Sequence, residues 1–134
     1  MQAQALTDIG RKRQVNQDYI FASTKPVGVF PNLFILADGM GGHKGGDFAS
    51  KYLTETMVGF VSKSQSPDII RVLRSAINLS NTMILEKSHS DSALRGMGST
   101  LVAGVIRDDI LTVANVGDSR LYVIRDGITQ VTRD

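Results

Sequence analysis

The stretch "LADGMGGHKGGD", Leu36 to Asp47, places five of the chain's thirteen glycines within eight positions, Gly39 to Gly46. The apolar run "NLFILAD", Asn32 to Asp38, leads into it and predicts a buried strand that ends at the acid. Apolar residues with helical spacing follow Asp47. Because ordering glycine costs roughly 1 kcal/mol or more per residue, we expect a functional turn with the Asp38 carboxylate at its start.

Two nucleotide-binding interpretations of this glycine stretch fail on spacing. A phosphate-binding P-loop requires G-x-x-x-x-G-K-[ST], whereas Lys44 lies at the wrong distance from Gly39 and is followed by Gly45. The dinucleotide pattern G-x-G-x-x-G begins correctly at Gly39 and Gly41 but has Lys44 in its last position. What remains is a carboxylate beside exposed backbone carbonyls, a combination that suits a hard divalent cation.

The amino-acid composition indicates a single globular domain and excludes several kinds of functional site. The chain has 134 residues, 42% of them hydrophobic, which is enough for one domain with a real core. Its net charge of +2 is small and its basic residues are scattered, which argues against a nucleic-acid partner. The absence of cysteine excludes disulfides and thiolate chemistry, and two distant histidines, His43 and His89, argue against a histidine-rich zinc site. We expect His43 to be a loop residue and His89 to be exposed.

Targeting features also bear on the class of protein. The sequence shows no signal-peptide pattern and no apolar run of the roughly 20 residues that cross a bilayer, so we expect no membrane span. A cytoplasmic location is the default expectation.

The remaining segments predict an α+β domain, with helices packed on antiparallel sheet. "QDYIFAS", Gln17 to Ser23, is typical of a strand, and "SPD", Ser66 to Asp68, of a helix start with Pro67 at the first helical position. The segment His89 to Gly98 has no period and predicts a loop. The last third predicts a β-meander of four strands, namely Ser99 to Ile106, Ile110 to Val116, Arg120 to Arg125 and Ile128 to Thr132, with hairpin turns at "RDD" and "DG".

Two more segments carry chemistry-bearing side chains. Asp118 lies in "VGDSRLY", Val116 to Tyr122, between two predicted strands; taken alone it is typical of an ordinary β-turn. In "RQVNQD", Arg13 to Asp18, the arginine could present a fork of donors to a phosphate or carboxylate. Asn16 and Asp18 could bind metal-held water or cap a turn, and a solvated basic turn is the simpler alternative.

Together, these segments are more specific than any one of them. In order along the chain, "RQVNQD", "LADGMGGHKGGDFAS", "GMGSTLVAG" (Gly96 to Gly104) and "VANVGDSRLYVIRDGITQVTRD" (Val113 to Asp134) resemble the metal-dependent protein serine/threonine phosphatases of the PPM (type 2C) family, particularly their compact bacterial form. The resemblance covers nearly the whole chain.

The resemblance implies a fold and a set of roles. It implies an antiparallel β-sandwich flanked by helices, and hydrolysis of phosphoserine and phosphothreonine in a phosphoprotein substrate by a metal-activated water. Asp38 would bridge two Mn²⁺ or Mg²⁺ ions with help from the Gly39 carbonyl, and Asp18 would belong to the same acidic cluster, directly or through metal-bound water. Arg13 would hold the substrate phosphate, and Asp118 would belong to a weaker third metal site.

The resemblance also implies that residues 1–134 are the N-terminal portion of a single catalytic domain, whose remaining part carries two further metal-binding aspartates. An engineered truncation, a proteolytic fragment and a natural short form are all open. We expect weak or no activity from this chain alone, and exposed sheet edges that favour a dimer or strand exchange. The alternative function is a non-catalytic phosphatase-like module that binds a phosphoprotein or regulatory partner; a glycine-loop nucleotide binder is disfavoured by spacing.

Overall fold

The computed structural model describes residues 1–8, 10, 16–40 and 42–134, and at residues 42–44 it describes the backbone alone. Along this part of the chain the elements are, in order, β1 (Asp18–Ser23), β2 (Leu33–Met40), α1 (Gly42–Lys63), α2 (Ile69–Ser90), a 3₁₀ turn (Ser92–Leu94), β3 (Gly98–Ser99), β4 (Leu101–Arg107), β5 (Ile110–Val116), β6 (Tyr122–Ile124) and β7 (Ile128–Gln130).

The main sheet is antiparallel and has the strand order β1-β2-β4-β5, with the short β3 also paired to β2. Strands β6 and β7 form a separate hairpin. The predicted α+β class is therefore confirmed, since two long helices accompany antiparallel strands.

One face of the main sheet forms the core with the two helices. Side chains alternate in and out along β2, as the pleat requires, so that every second residue is almost fully buried. The sheet contributes Leu33, Ile35, Ala37, Leu101, Ala103 and Val105, and the helices contribute Ala49, Leu53, Met57, Val61, Val72, Leu73 and Ala76. This packing anchors β2, which carries Asp38, between its neighbours and the helices.

The opposite face of the sheet is apolar but only partly covered in the described part of the chain. It borders an open cavity of about 520 Å³, which the start of the β6–β7 hairpin also lines. The strand residues on this cavity are chiefly Ile20, Phe34, Leu36, Val102 and Ile106, and the hairpin side contributes Leu121, Tyr122 and Val123. The phosphatase resemblance implies a two-sheet sandwich, and this is the face that a second sheet would pack on.

The predicted boundaries around the glycine stretch were wrong. Strand β2 continues past Asp38 to Met40, and α1 begins at Gly42 rather than after Asp47. The reason is a close approach of strand and helix, because a Cβ on Gly39 would lie 1.8 Å from the Gly46 carbonyl oxygen. The glycines therefore allow two regular elements to pack against each other, where the sequence had indicated a turn.

Other boundaries shift by a few residues for local reasons. Helix α2 begins at Ile69, because Asp68 caps it by accepting a hydrogen bond from the Arg71 N–H at 3.2 Å; Pro67 therefore precedes the cap. The same helix extends to Ser90, into the segment predicted as a loop. Strands β6 and β7 are shorter than predicted. The β4–β5 turn is formed by Asp108 and Asp109, with φ of 53° and 62°, as a tight hairpin turn requires.

No helix in the described ranges has the length and apolar character needed to cross a bilayer.

Candidate metal centre

Asp18 and Asp38 lie directly opposite each other on β1 and β2. The next pair along, Gln17 and Gly39, is joined by a hydrogen bond from the Gly39 N–H to the Gln17 carbonyl at 2.9 Å. Hydrogen-bonded and non-hydrogen-bonded pairs alternate in antiparallel sheet, so Asp18 and Asp38 form a non-hydrogen-bonded pair, the kind with the closer side chains. Both residues are half-buried. The sheet thus brings two predicted site carboxylates together on one face.

This pair is chemically suited to a divalent cation. Like charges placed directly opposite each other in a sheet are destabilising, and a cation between them removes the repulsion. Carboxylate oxygens are the ligands that Mg²⁺ and Mn²⁺ prefer, and the neighbouring Gly39 offers a backbone carbonyl without a side chain. The donor set of Asp18, Asp38 and Gly39 therefore fits the ions implied by the sequence.

A row of residues, here called the acid row, runs across the sheet from Asp18 and Asp38 through Thr100 to Gly117. The β2–β4 register places Thr100 opposite Asp38, and the β4–β5 register places Gly117 beside Thr100. The Thr100 N–H donates to the Asp38 carbonyl at 2.8 Å, and the Asp38 N–H donates to the Thr100 Oγ1 at 3.2 Å. This row lies at one end of the partly covered sheet face. The two acids therefore border the apolar residues of that face.

Asp118 is exposed and follows Gly117 in the turn after β5. Gly117 has a φ of 96°, which lets the chain turn sharply there. A hydrogen bond of 2.6 Å between the Ser119 and Thr100 hydroxyls fastens this turn to the sheet. Among the described side chains, no three carboxylate or histidine groups come together as one metal-binding cluster. Asp118 therefore stands apart from the Asp18–Asp38 pair.

Some of the remaining candidate site residues lie within the described part of the chain and others lie outside it. Arg13, the predicted phosphate ligand, lies outside the described residues, as does the side chain of His43. His89 is exposed in the last turn of α2, as predicted. Asn16 caps the start of β1, because its Oδ1 accepts a hydrogen bond from the Asp18 N–H at 2.9 Å. Capping is one of the two roles that the sequence suggested for Asn16.

The arginine of the Asp118 turn has a partner of its own. The Arg120 Nε donates to both carboxylate oxygens of Asp134, at 3.0 and 3.2 Å. These hydrogen bonds hold the pKa of the Asp134 carboxyl below its usual range. Both side chains are nearly half exposed, so the pair orders the end of the hairpin with little gain in stability.

Sequence reasoning missed Thr100 and Ser119 as parts of this site. Thr100 lies in the segment "GMGSTLVAG", in which no local pattern marks it as a site residue. Its contact with Asp38 spans 62 positions along the chain, so no local pattern could have identified it.

Comparison with known proteins identifies the family. The profile of the protein phosphatase 2C family matches residues 9–133. The chain is 34% identical over 131 residues to the serine/threonine protein phosphatase PstP of Mycobacterium tuberculosis, covering 97% of this chain and 24% of that protein. It is 36% identical over 144 residues to the serine/threonine phosphatase stp of Listeria monocytogenes, covering the whole of this chain and 54% of that protein.

A solved structure shows the same architecture. The catalytic domain of PstP in complex with two manganese ions superposes with a TM-score of 0.80 at 33% identity, covering 93% of this chain and 52% of that one. The chain thus spans about half the length of the Listeria relative and of this catalytic domain. The family profile matches nearly the whole of these 134 residues, and the chain belongs to the protein phosphatase 2C family.

Proposed function

We propose that this chain carries part of a metal-dependent centre that hydrolyses phosphoserine and phosphothreonine in proteins. The observation that carries the proposal is the cross-strand pair of Asp18 and Asp38, which supplies two oxygen ligands on one face of the sheet. The relatives named above are serine/threonine phosphatases, which supports this substrate class. A cysteine nucleophile is excluded within this chain, because it contains no cysteine.

The proposed roles follow the chemistry of each group. Asp38, Asp18 and the Gly39 carbonyl would hold the ions, Asp118 would contribute to a further ion, and Arg13 would present its guanidinium to the substrate phosphate. When bound, divalent ions would lower the pKa of water and neutralise negative charge on a phosphoryl group. The manganese in PstP supports Mn²⁺ as the ion here, with Mg²⁺ as the alternative.

The test separates metal binding from turnover. Because the chain spans about half of the Listeria relative, we expect weak or no hydrolysis by these 134 residues alone. Binding is therefore followed by titrating Mn²⁺ into the ¹⁵N-labelled chain and recording which backbone amide signals broaden. We expect broadening centred on Asp18, Asp38 and Gly39, and its loss in Asp38→Asn. Hydrolysis of p-nitrophenyl phosphate and of a phosphothreonine peptide is measured in parallel.

The matched control is Asp109→Asn. It removes an exposed carboxylate from the β4–β5 turn, at the far end of the strands from the acid row, and Asn tolerates the left-handed φ found there. In this variant, Mn²⁺ should broaden the same amide signals as it does in the unmodified chain. Broadening that persists in Asp38→Asn would reject the proposed centre. Phosphopeptide binding that needs neither Mn²⁺ nor Asp38, without hydrolysis, would instead support a non-catalytic phosphatase-like module.

We further propose that the protein acts in cytoplasmic signalling.

We also propose that copies of this chain associate. The support for association is the partly covered apolar face, together with the outer edges of β1 and β5, each of which pairs on one side only within the described residues. Exposed edges and apolar faces favour dimerisation or strand exchange.

A further inference from the structure

Thr100 contacts both Asp38 and the turn that carries Asp118. It lies between β3 and β4, is 7% exposed, and satisfies both the N–H and the carbonyl of Asp38. Its hydroxyl also shares a 2.6 Å hydrogen bond with that of Ser119. One buried hydroxyl is therefore in contact with the strand that carries Asp38 and with the turn that carries Asp118.

We propose that Thr100 is a positioning residue that fixes the Asp38 main chain and, through Ser119, holds the Asp118 turn against it. The inference rests on the proposed metal-dependent function, because it assigns to Thr100 the task of setting the relative placement of two candidate ligands. Asp118 otherwise stands outside the Asp18–Asp38 pair. The Thr100–Ser119 hydrogen bond is a direct side-chain link between the two parts.

The methyl group of Thr100 contributes separately. A Cβ added to Gly117 would lie 2.8 Å from the Thr100 Cγ2, so the start of the turn packs closely on this methyl. The packing and hydrogen-bonding parts of the residue can thus be tested one at a time. Thr100→Val keeps the methyl and replaces the hydroxyl, whereas Thr100→Ser keeps the hydroxyl and removes the methyl. Ser119→Ala removes only the link to the turn.

The first measurement needs no metal. Amide hydrogen exchange in the 134-residue chain reports whether the Asp38 N–H is held by the Thr100 hydroxyl. We expect exchange at Asp38 to accelerate about tenfold in Thr100→Val and to stay near the original rate in Thr100→Ser and Ser119→Ala. Backbone ¹⁵N relaxation should show added motion at Asp118 in both Thr100→Val and Ser119→Ala.

The second measurement uses Mn²⁺ alone. In the unmodified chain, we expect Mn²⁺ to broaden the amide signals of Asp38 and Asp118. Thr100→Val should require several-fold more Mn²⁺ for the same effect at Asp38 and should lose most of it at Asp118, with recovery in Thr100→Ser. Ser119→Ala should lose the effect at Asp118 only.

The outcomes separate this inference from the proposed function. If Mn²⁺ broadens no signal near Asp38 in the unmodified chain, the proposed function fails, and exchange and turn mobility still decide whether Thr100 positions Asp38 and the turn. Original exchange at Asp38 and original turn mobility in Thr100→Val would overturn the positioning role. Equal losses in Thr100→Ser and Thr100→Val would overturn it too, since packing of the methyl would then explain the effect.

Discussion

Asn32 and Ile106 are joined by two hydrogen bonds of 2.8 Å each, from the Asn32 Nδ2 to the Ile106 carbonyl and from the Ile106 N–H to the Asn32 Oδ1. Asn32 precedes β2 and is 4% exposed, so its side chain continues the β2–β4 pairing at the end of the sheet remote from Thr100. A side-chain amide at one end and Thr100 at the other therefore fix how these two strands align.

Replacing that amide should weaken the sheet. Asn32→Ala removes both hydrogen bonds and leaves two backbone groups of Ile106 without their partners, so we expect the free energy of unfolding to fall by about 2 kcal/mol. Urea denaturation followed by circular dichroism measures the change. Asn81→Ala, on the exposed surface of α2, is the matched control and should change stability by less than about 0.5 kcal/mol. Equal effects of the two substitutions would contradict the role given to Asn32.

Two glycine substitutions should change the stability of the protein in opposite directions. Gly39→Ala places a methyl 1.8 Å from the Gly46 carbonyl oxygen, so β2 or α1 must move, and we expect a loss of about 1–3 kcal/mol. Gly59→Ala, within α1, adds a Cβ that meets no atom within 4 Å beyond its chain neighbours and the adjacent helix backbone. It should raise stability by about 0.5–1 kcal/mol, since alanine favours helix over glycine. Thermal unfolding of both variants tests the pair; a neutral Gly39→Ala would show that strand and helix are not in close contact.

The Arg120–Asp134 pair predicts a pH dependence of defined sign. The pKa of the Asp134 carboxyl is lowered mainly because Arg120 donates hydrogen bonds to it. The small stabilisation from this pair is therefore present above the ordinary carboxyl pKa of about 3.9, and is lost as the pH falls through the lower pKa of the folded protein. In Arg120→Gln, the pKa of the Asp134 carboxyl should rise toward its ordinary value, as followed by carboxylate ¹³C shifts. Arg125→Gln, in the β6–β7 turn, should leave it where it was.

The apolar face predicts self-association that a charge should prevent. Val123 lines the cavity on this face and is 37% exposed, so Val123→Lys places an ammonium group where another copy would pack. Light scattering should show dimers or larger species for the unmodified chain at high concentration, and a shift toward monomer in the variant. Ile70→Lys introduces the same charge at an exposed position of α2, away from this face, and should leave association unchanged. A strictly monomeric unmodified chain would refute the proposal.

Hydrophobic periodicity predicted most of the fold, because it reports directly which side of each element is buried. The alternation along β2 and the helical spacing in α1 and α2 are of this kind. The glycine stretch misled the prediction, because glycine is unfavourable in isolated strands and helices. The constraint that requires glycine at position 39 is an approach by Gly46, which becomes visible only once strand and helix are packed.

For the candidate site too, the sequence indicated single residues but not their arrangement. Asp38 was identifiable from its position beside the glycines, and Asp18 from its place in a segment that resembles the family. Their pairing depends on strand register, and the contribution of Thr100 depends on register between segments far apart in the sequence. Individual candidates were thus accessible from local sequence, and their arrangement was not.

The row from Asp18 through Asp38 and Thr100 to Gly117 has a consequence for the order of folding. Its members come from separate strands, and the contact of Asp38 with Thr100 spans 62 positions, so its loop must close before the row exists. A chain with only its helices and the β4–β5 hairpin formed contains no paired acids. A divalent ion that needs both acids would bind only after β1 and β2 have paired, so it would stabilise that strand pair and the folded protein over the unfolded chain.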